Sequence, residues 1–519
     1  MADYDIIVIG AGCGGLTAAA CAVKAGKKVL LLEKHNSPGG FATSFVRGRF
    51  EFEAALSEFY PNITSNGTDE TFEILKELGI ENKIRQIRIP DAYRLITTDS
   101  DGKAMDVKLP FGVEEYINAV NKAVPGCRGS VKIFFDIAKE TAEAVNCIAA
   151  SDSAFDKKLF KEIKKKYPSF VAAAAYSVTE VLNSIGVPKK AQDIITALWI
   201  ESGVDCDRLN FAYYAARLYS LLSLGSQIPA MRSYELSMVL AGFIEDNGGE
   251  IRYNTRVNRI LFKNGHADGV ILKNGERIPC GNIICSCSPT TVFTKMMRPK
   301  DVPVSAVKRT NSRTFGARSA SLYLGLNRSP GELGIKDYYT IITETSDSRA
   351  QFARMRTIDS DNMLTATCLN IANPDCSPQG TAQLTLTTLY TDNCWANIEP
   401  EDYYNEKDYI AAKLISNYEK ATGIIIHNNI EELELATPFT FARYTSAPQG
   451  VTHGYLAADT DGMIHRVTTE KSDYDTPGLR FCGGWGTQLS GFASAIASGR
   501  NAAFAALEDF NTNETEGEK

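Results

Sequence analysis

Three features of the sequence predict an α/β fold in which one parallel-sheet domain is assembled from separated stretches of chain, with a second, mixed sheet-and-helix domain beside it. The first forty residues alternate strand, glycine-rich turn, helix and strand. Residue types of the same kind return over 228–300 and 451–510. The intervening stretches, 63–227 and 301–450, lack that pattern and need a separate α+β domain of their own.

Residues 5–9 read as a buried strand, Gly10-Ala11-Gly12-Cys13-Gly14-Gly15 is a turn, 16–24 is Ala-rich and helical, and 29–32 is a second strand ending in Glu33. Each residue type has a mechanical task in a Rossmann-like dinucleotide site. Gly10 makes the tight turn, Gly12 lets main chain approach a pyrophosphate, and Gly15 lets helix and strand pack closely. The helix N-terminus then offers free N–H groups and a partial positive charge to phosphate. Glu33, followed by Lys34, stands where a carboxylate can accept ribose hydroxyls and repel a 2′-phosphate. Pro38-Gly39-Gly40, leading into Phe41 and Ala42, resembles the glycine doublet that brings the chain close to the cofactor in FAD-binding oxidoreductases. FAD is therefore favoured over NAD.

The pattern resumes with a helix expected over 236–247, a turn into a strand over 248–253, and an extended segment over 255–260 that brings Val257 to the cofactor. Asn264-Gly265 and Asn274-Gly275 are hairpin signals, and 281–286 reads as a buried strand. The last piece is a strand over 479–482, the loop Gly483-Gly484-Trp485-Gly486, and a helix opening near Ser490, Gly491, Phe492 and Ala493. Gly491, Ala495, Ser498, Gly499, Ala502 and Ala503 fall on one face of that helix. Such a face admits either a flavin, whose reduced form the helix dipole would stabilise, or a neighbouring helix. The expected domains are 1–62, 228–300 and 451–510 for FAD, and 63–227 and 301–450 for substrate, with a polar, disordered tail over 511–519.

Composition sets the class. The chain has 519 residues, 44% of them hydrophobic and 23% charged, and a net charge of −7, which argues against nucleic acid as a partner. The 12 cysteines are scattered, with Cys285 and Cys287 the only close pair, so reduced thiols are expected rather than zinc, and no metal site is called. No signal peptide and no apolar run of about 18 residues is seen, so a cytoplasmic protein is expected.

Pro38-Gly39-Gly40-Phe41-Ala42-Thr43-Ser44-Phe45 with Phe50-Glu51-Phe52-Glu53 resembles the N-terminal signature of the carotenoid desaturase, carotenoid isomerase and retinol saturase family of flavoproteins. Ala436-Thr437-Pro438, Arg443-Tyr444-Thr445, Gly450 and His453-Gly454 are similar to the segment before that family's C-terminal motif, and Ser498-Gly499-Arg500-Asn501-Ala502-Ala503 to its close. The resemblance implies FAD and the saturation, desaturation or isomerisation of a carbon–carbon double bond in a hydrophobic polyene or lipid-like substrate. The chain departs from the family at several points. Glu53 stands for Asp, Ala55 for Gly, Met231-Arg232 for a glycine pair, Gln488-Leu489-Ser490-Gly491 for a glycine triplet, and Gly484 for an Asp.

A flavin moves hydride while the protein positions carbon and supplies or takes a proton. Glu58, Tyr444 and His453 are the catalytic candidates, each with a structural alternative as a supporting carboxylate, a core phenol or a packed imidazole. Arg443 suits a pyrophosphate or a surface ion pair. No second GxGxxG follows a strand, so the electron donor or acceptor is expected to be a separate, unidentified partner. Lys157, Lys158, Lys161, Lys164, Lys165 and Lys166 surround Phe160, Ile163 and Tyr167 at helical spacing, which suits either peripheral membrane contact or a solvated face over core. A flavin amine oxidase, and a non-catalytic escort of prenylated proteins, are the competing classes.

Overall fold

The computed structural model describes residues 3–55, 58–64, 66–149, 157–358, 363–456, 474–486 and 491–517. Its first sheet has five parallel strands in the order Leu479–Phe481, Ile283–Cys285, Ile6–Ile9, Val29–Leu32, Glu250–Arg252. Ile6–Ile9 and Val29–Leu32 are buried along their whole length, because helices and a small sheet cover the two faces. On one face lie Cys13–Lys24, Arg232–Asp246 and Phe492–Gly517. On the other lies the antiparallel sheet Val257–Lys263, His266–Leu272, Arg277–Ile278, whose first hairpin turns at Asn264 and Gly265, both at positive φ.

This core is larger than expected. Ile74, Leu75, Leu78, Ile80 and Ile84 pack into it through the helix Glu70–Leu78, and Val292, Phe293, Met296 and Ala306 join its other side. The boundaries expected at 62 and 300 therefore fall inside the domain, since an amphipathic helix goes to whichever apolar surface is nearest, whatever its sequence neighbours do. The last helix also runs to Gly517, into the tail expected to be disordered; no Pro or Gly interrupts it from 500 to 516.

The second domain carries a seven-stranded mixed sheet in the order Ile430–Ala436, Arg318–Leu326, Ala382–Tyr390, Met363–Cys368, Tyr339–Thr343, Tyr93–Thr98, Ala104–Leu109. Only Tyr339–Thr343 and Tyr93–Thr98 run parallel. The protein is thus α/β, with a Rossmann-like domain and a second α+β domain. The period of two in the central strands divides their side chains. Ala320, Leu322, Leu324, Leu364, Ala366, Leu384 and Leu386 enter an apolar core beneath the helix Tyr403–Thr422. The opposite face presents Ser319, Ser321, Tyr323, Thr365, Thr367, Thr385 and Thr387 to a cavity. Helices Arg128–Ala149 and Phe211–Leu224 complete its walls.

Candidate active site

One cavity of about 690 Å³ runs between the two domains, within the roughly 300–1,000 Å³ usual for ligand sites. Every residue expected to hold the cofactor lines it except Gly15: Gly10, Gly12, Gly14, Glu33, Lys34, Gly39, Gly40, Phe41, Ala42, Val257, Gly483, Gly484, Gly491, Phe492 and Ala493. Gly15 acts from behind. A Cβ there would stand 1.9 Å from the Gly10 carbonyl oxygen, so only glycine lets the helix sit this close to the first strand.

The nucleotide end is built from main chain. The helix Cys13–Lys24 starts without a side-chain cap at Gly12 and without an acid in its first turn, so its N-terminal amides are open to an anion. A Cβ on Gly14 would meet the Gly483 nitrogen at 2.4 Å, which fixes how close the C-terminal loop approaches. Glu33 is held rigidly: one oxygen accepts the Ala11 N–H at 2.7 Å and the other the His35 N–H at 2.8 Å. An uncapped helix start, a glycine cradle and a fixed carboxylate at the next strand end suit the pyrophosphate and ribose of FAD.

Three expectations change here. Ser498, Gly499, Ala502 and Ala503 do not face a cofactor. Gly499 packs on the carbonyl of Gly14, where a Cβ would come within 2.2 Å, while Ser498 Oγ accepts the Gly483 N–H at 2.7 Å and Ala502 and Ala503 are buried. The small-residue face beyond the first turn is a helix–helix contact, whereas Gly491 to Ala495 open on the cavity, joined further along the helix by Arg500 and Asn501. Ser490 lies outside the described residues. Tyr444 is 50% exposed with its ring 5.4 Å from that of His35, at the ribose end beside Glu33, which is a poor place for proton transfer to a buried carbon. Arg443 makes a stacking contact with Tyr444, and its carbonyl accepts from Lys34 at 3.4 Å.

The departures near the second glycine pair have a structural answer. Arg232 takes the left-handed conformation, φ +68°, that a glycine would adopt without strain. Its guanidinium is held by Glu51 at 3.1 Å and by the Cys376 carbonyl. Glu53 accepts both the Ser233 N–H at 2.8 Å and its hydroxyl at 2.6 Å, fixing the start of the same helix.

The substrate end is made of ionisable side chains. Glu58 is buried, one carboxyl oxygen has no partner at hydrogen-bond geometry among the described residues, and burial pushes its pKa up to about 8, with Glu201 adding to the rise and Ser226, Arg217 and Tyr60 opposing it. The neighbouring Tyr60 hydroxyl is also buried, and burial drives its pKa well above the ordinary phenol range. Tyr339 donates to Glu201, which closes a short helical segment over Ala197–Ser202. Arg217 stands one turn beyond Tyr213, donates to its hydroxyl at 3.0 Å, and lies 4.2 Å over the Tyr60 ring. His453 lines the same region; burial lowers its pKa and keeps the imidazole neutral, and Nδ1 is 2.9 Å from the Thr452 hydroxyl. Glu58 and His453 are therefore brought together with Glu201, Arg217, Tyr60, Tyr213 and Tyr339, none of which was foreseen. The i, i+4 pair Tyr213/Arg217 in an otherwise apolar helix was the one available signal.

A family model for the NAD(P)-binding Rossmann-like domain matches residues 8–78. The chain is 23% identical over 477 residues to a chloroplastic prolycopene isomerase of Daucus carota, covering 88% of this chain and 73% of that one. It is 24% identical over 529 residues to an all-trans-retinol 13,14-reductase of Danio rerio, covering 95% and 84% respectively. Over most of its length the chain is thus similar to a carotenoid isomerase and a retinol reductase. Among solved structures, putrescine oxidase bound to putrescine shares the fold with a TM-score of 0.64 at 13% identity, over 97% of this chain and 99% of that one.

Proposed function

We propose that this protein is an FAD-dependent oxidoreductase acting on a carbon–carbon double bond of a hydrophobic polyene or lipid-like substrate, by saturation, desaturation or isomerisation. The observation that carries this reading is the continuity of one cavity from the dinucleotide cradle to a buried acid with a free oxygen, Glu58. Bound in the cradle, FAD supplies hydride transfer to or from carbon. The first-helix amides and Glu33 bind and orient the nucleotide. Glu58, neutral at physiological pH, is the group able to give a proton to a substrate carbon or oxygen, and its return to the acid form accounts for the reverse transfer. His453 lines the cavity as a neutral imidazole. Ile63, Ala142, Val145, Leu369 and Leu389 keep water from the rest of the cavity.

The electron donor or acceptor is a separate partner in this reading. The lysine helix Lys157–Lys166 gives membrane contact little support. Ile163 and Tyr167 are buried with Phe170 and Ala212, so only Phe160 of its apolar stripe is left outward, 45% exposed. No helix among the described residues is long and apolar enough to cross a membrane. Amine oxidation is disfavoured by the Arg217 cation, which faces the space an ammonium substrate would occupy.

The deciding experiment is anaerobic incubation of the purified holoenzyme, with flavin pre-reduced or oxidised, against a polyene and unsaturated-lipid panel. Product masses should change by two hydrogens, or by none with altered double-bond geometry. A carbonyl product with release of ammonia from an amine would overturn the reading.

A further inference from the structure

The substrate end is more polar than a hydrocarbon ligand requires. Its floor is a patch of hydroxyls, with Ser321 and Thr387 hydrogen-bonded to each other at 3.0 Å across adjacent strands. Arg217 stands at this end, over the Tyr60 ring and without a direct ion pair among the described residues. One terminal nitrogen donates to the Tyr213 hydroxyl and, at 3.4 Å, to the Glu201 main-chain carbonyl. Among the described residues no carboxylate lies within ion-pair distance of it: Glu201 directs a side-chain oxygen to Tyr339, and Glu58 is the neutral acid. Among the described residues the guanidinium's hydrogen bonds are both made by that one nitrogen, and Arg217 lines the cavity.

A cation removed from bulk water is normally compensated by an anion, because an unpaired charge is poorly solvated there. An Arg fork with free donors also matches a carboxylate in geometry. We propose that Arg217 anchors an anionic head group, so that the substrate is an unsaturated carboxylate rather than a neutral hydrocarbon polyene. The proposal rests on the reading above and narrows its substrate class. The apolar walls take the chain of the molecule, and the hydroxyl floor takes the second carboxylate oxygen without adding a competing negative charge.

The test uses cis-parinaric acid, a fluorescent conjugated polyenoic acid, and its methyl ester, titrated into the holoenzyme. The wild type should bind the acid about tenfold or more tighter than the ester. Arg217→Met should erase that preference while leaving ester affinity and flavin content unchanged, and Arg217→Lys should keep most of it. Equal binding of acid and ester, binding of neither, or a preference that survives in Arg217→Met overturns the proposal. So does loss of flavin in place of loss of preference, because it would assign the guanidinium to the cofactor. The wild-type comparison needs no variant, so a misfolded mutant leaves it decisive. Turnover of a hydrocarbon polyene with no acid preference would sink this inference and leave the double-bond reading standing; acid binding without any double-bond product would do the reverse.

Discussion

The two ends of the cavity solve recognition by different means. At the nucleotide end the contacts are main-chain: amides of the first helix turn, glycines whose missing Cβ atoms set the spacing, and one carboxylate pinned by two N–H groups. At the substrate end they are side chains, Glu58, Tyr60, Glu201, Arg217, Tyr339 and His453, delivered from separate segments into a buried space. Main-chain recognition tolerates little variation, because a Cβ in the wrong place collides with backbone that cannot move. Side-chain recognition is free to change with the substrate.

The comparison is broken most severely by Gly15→Val. With a Cβ already 1.9 Å from the Gly10 oxygen, the branched side chain should separate helix from strand and yield protein without flavin absorbance. Retention of FAD by that variant would show that the cradle is softer than its geometry implies.

At the other end, Glu58→Gln should retain FAD and lower turnover by about 10²–10⁴-fold, the usual contribution of general acid catalysis. The same variant sharpens the contrast through pH. Native Glu58 holds its proton to about pH 8, whereas the unfolded chain releases it near 4.5. Between those values the unfolded state binds fewer protons, so stability falls as pH rises, by at most ~1.4 kcal/mol per pH unit from this group. Below the unfolded value both states are protonated and nothing is lost. Denaturant titrations across this window should show a shallower slope for Glu58→Gln than for wild type; parallel slopes would mean that the carboxyl is hydrated.

Glu33→Gln is a smaller perturbation. It replaces one acceptor by an amide N–H facing a main-chain donor, and FAD retention should weaken by about 1–3 kcal/mol with the fold intact. Equilibrium dialysis measures it, and unchanged affinity would remove Glu33 from the ribose site. The least effect is expected from reversing Lys161, Lys164 and Lys165 together. These side chains are exposed over a filled core, so stability should move by about 0.5 kcal/mol or less for each, and sedimentation with anionic liposomes should be absent before and after. Salt-sensitive liposome binding by the wild type would restore the membrane role.

What the sequence determined by itself is the nucleotide half. A glycine turn between a strand and a helix, with an acid at the next strand end, specifies its own geometry within forty residues, because main-chain sterics act locally. Even there, sequence did not decide that Gly499 packs on a helix rather than a flavin, since a small-residue face suits both. The alternation Ser321-Leu322-Tyr323-Leu324 and Leu384-Thr385-Leu386-Thr387 signalled strands with one hydroxyl face, but not that the faces share a wall. Tertiary structure decided the substrate half. It sent Tyr444 to the ribose end, brought Arg217 over Tyr60, and left Glu58 with an unpaired oxygen. The charge state of a buried carboxyl depends on desolvation by residues far away in the chain, and that is set only when the two domains close around the cavity.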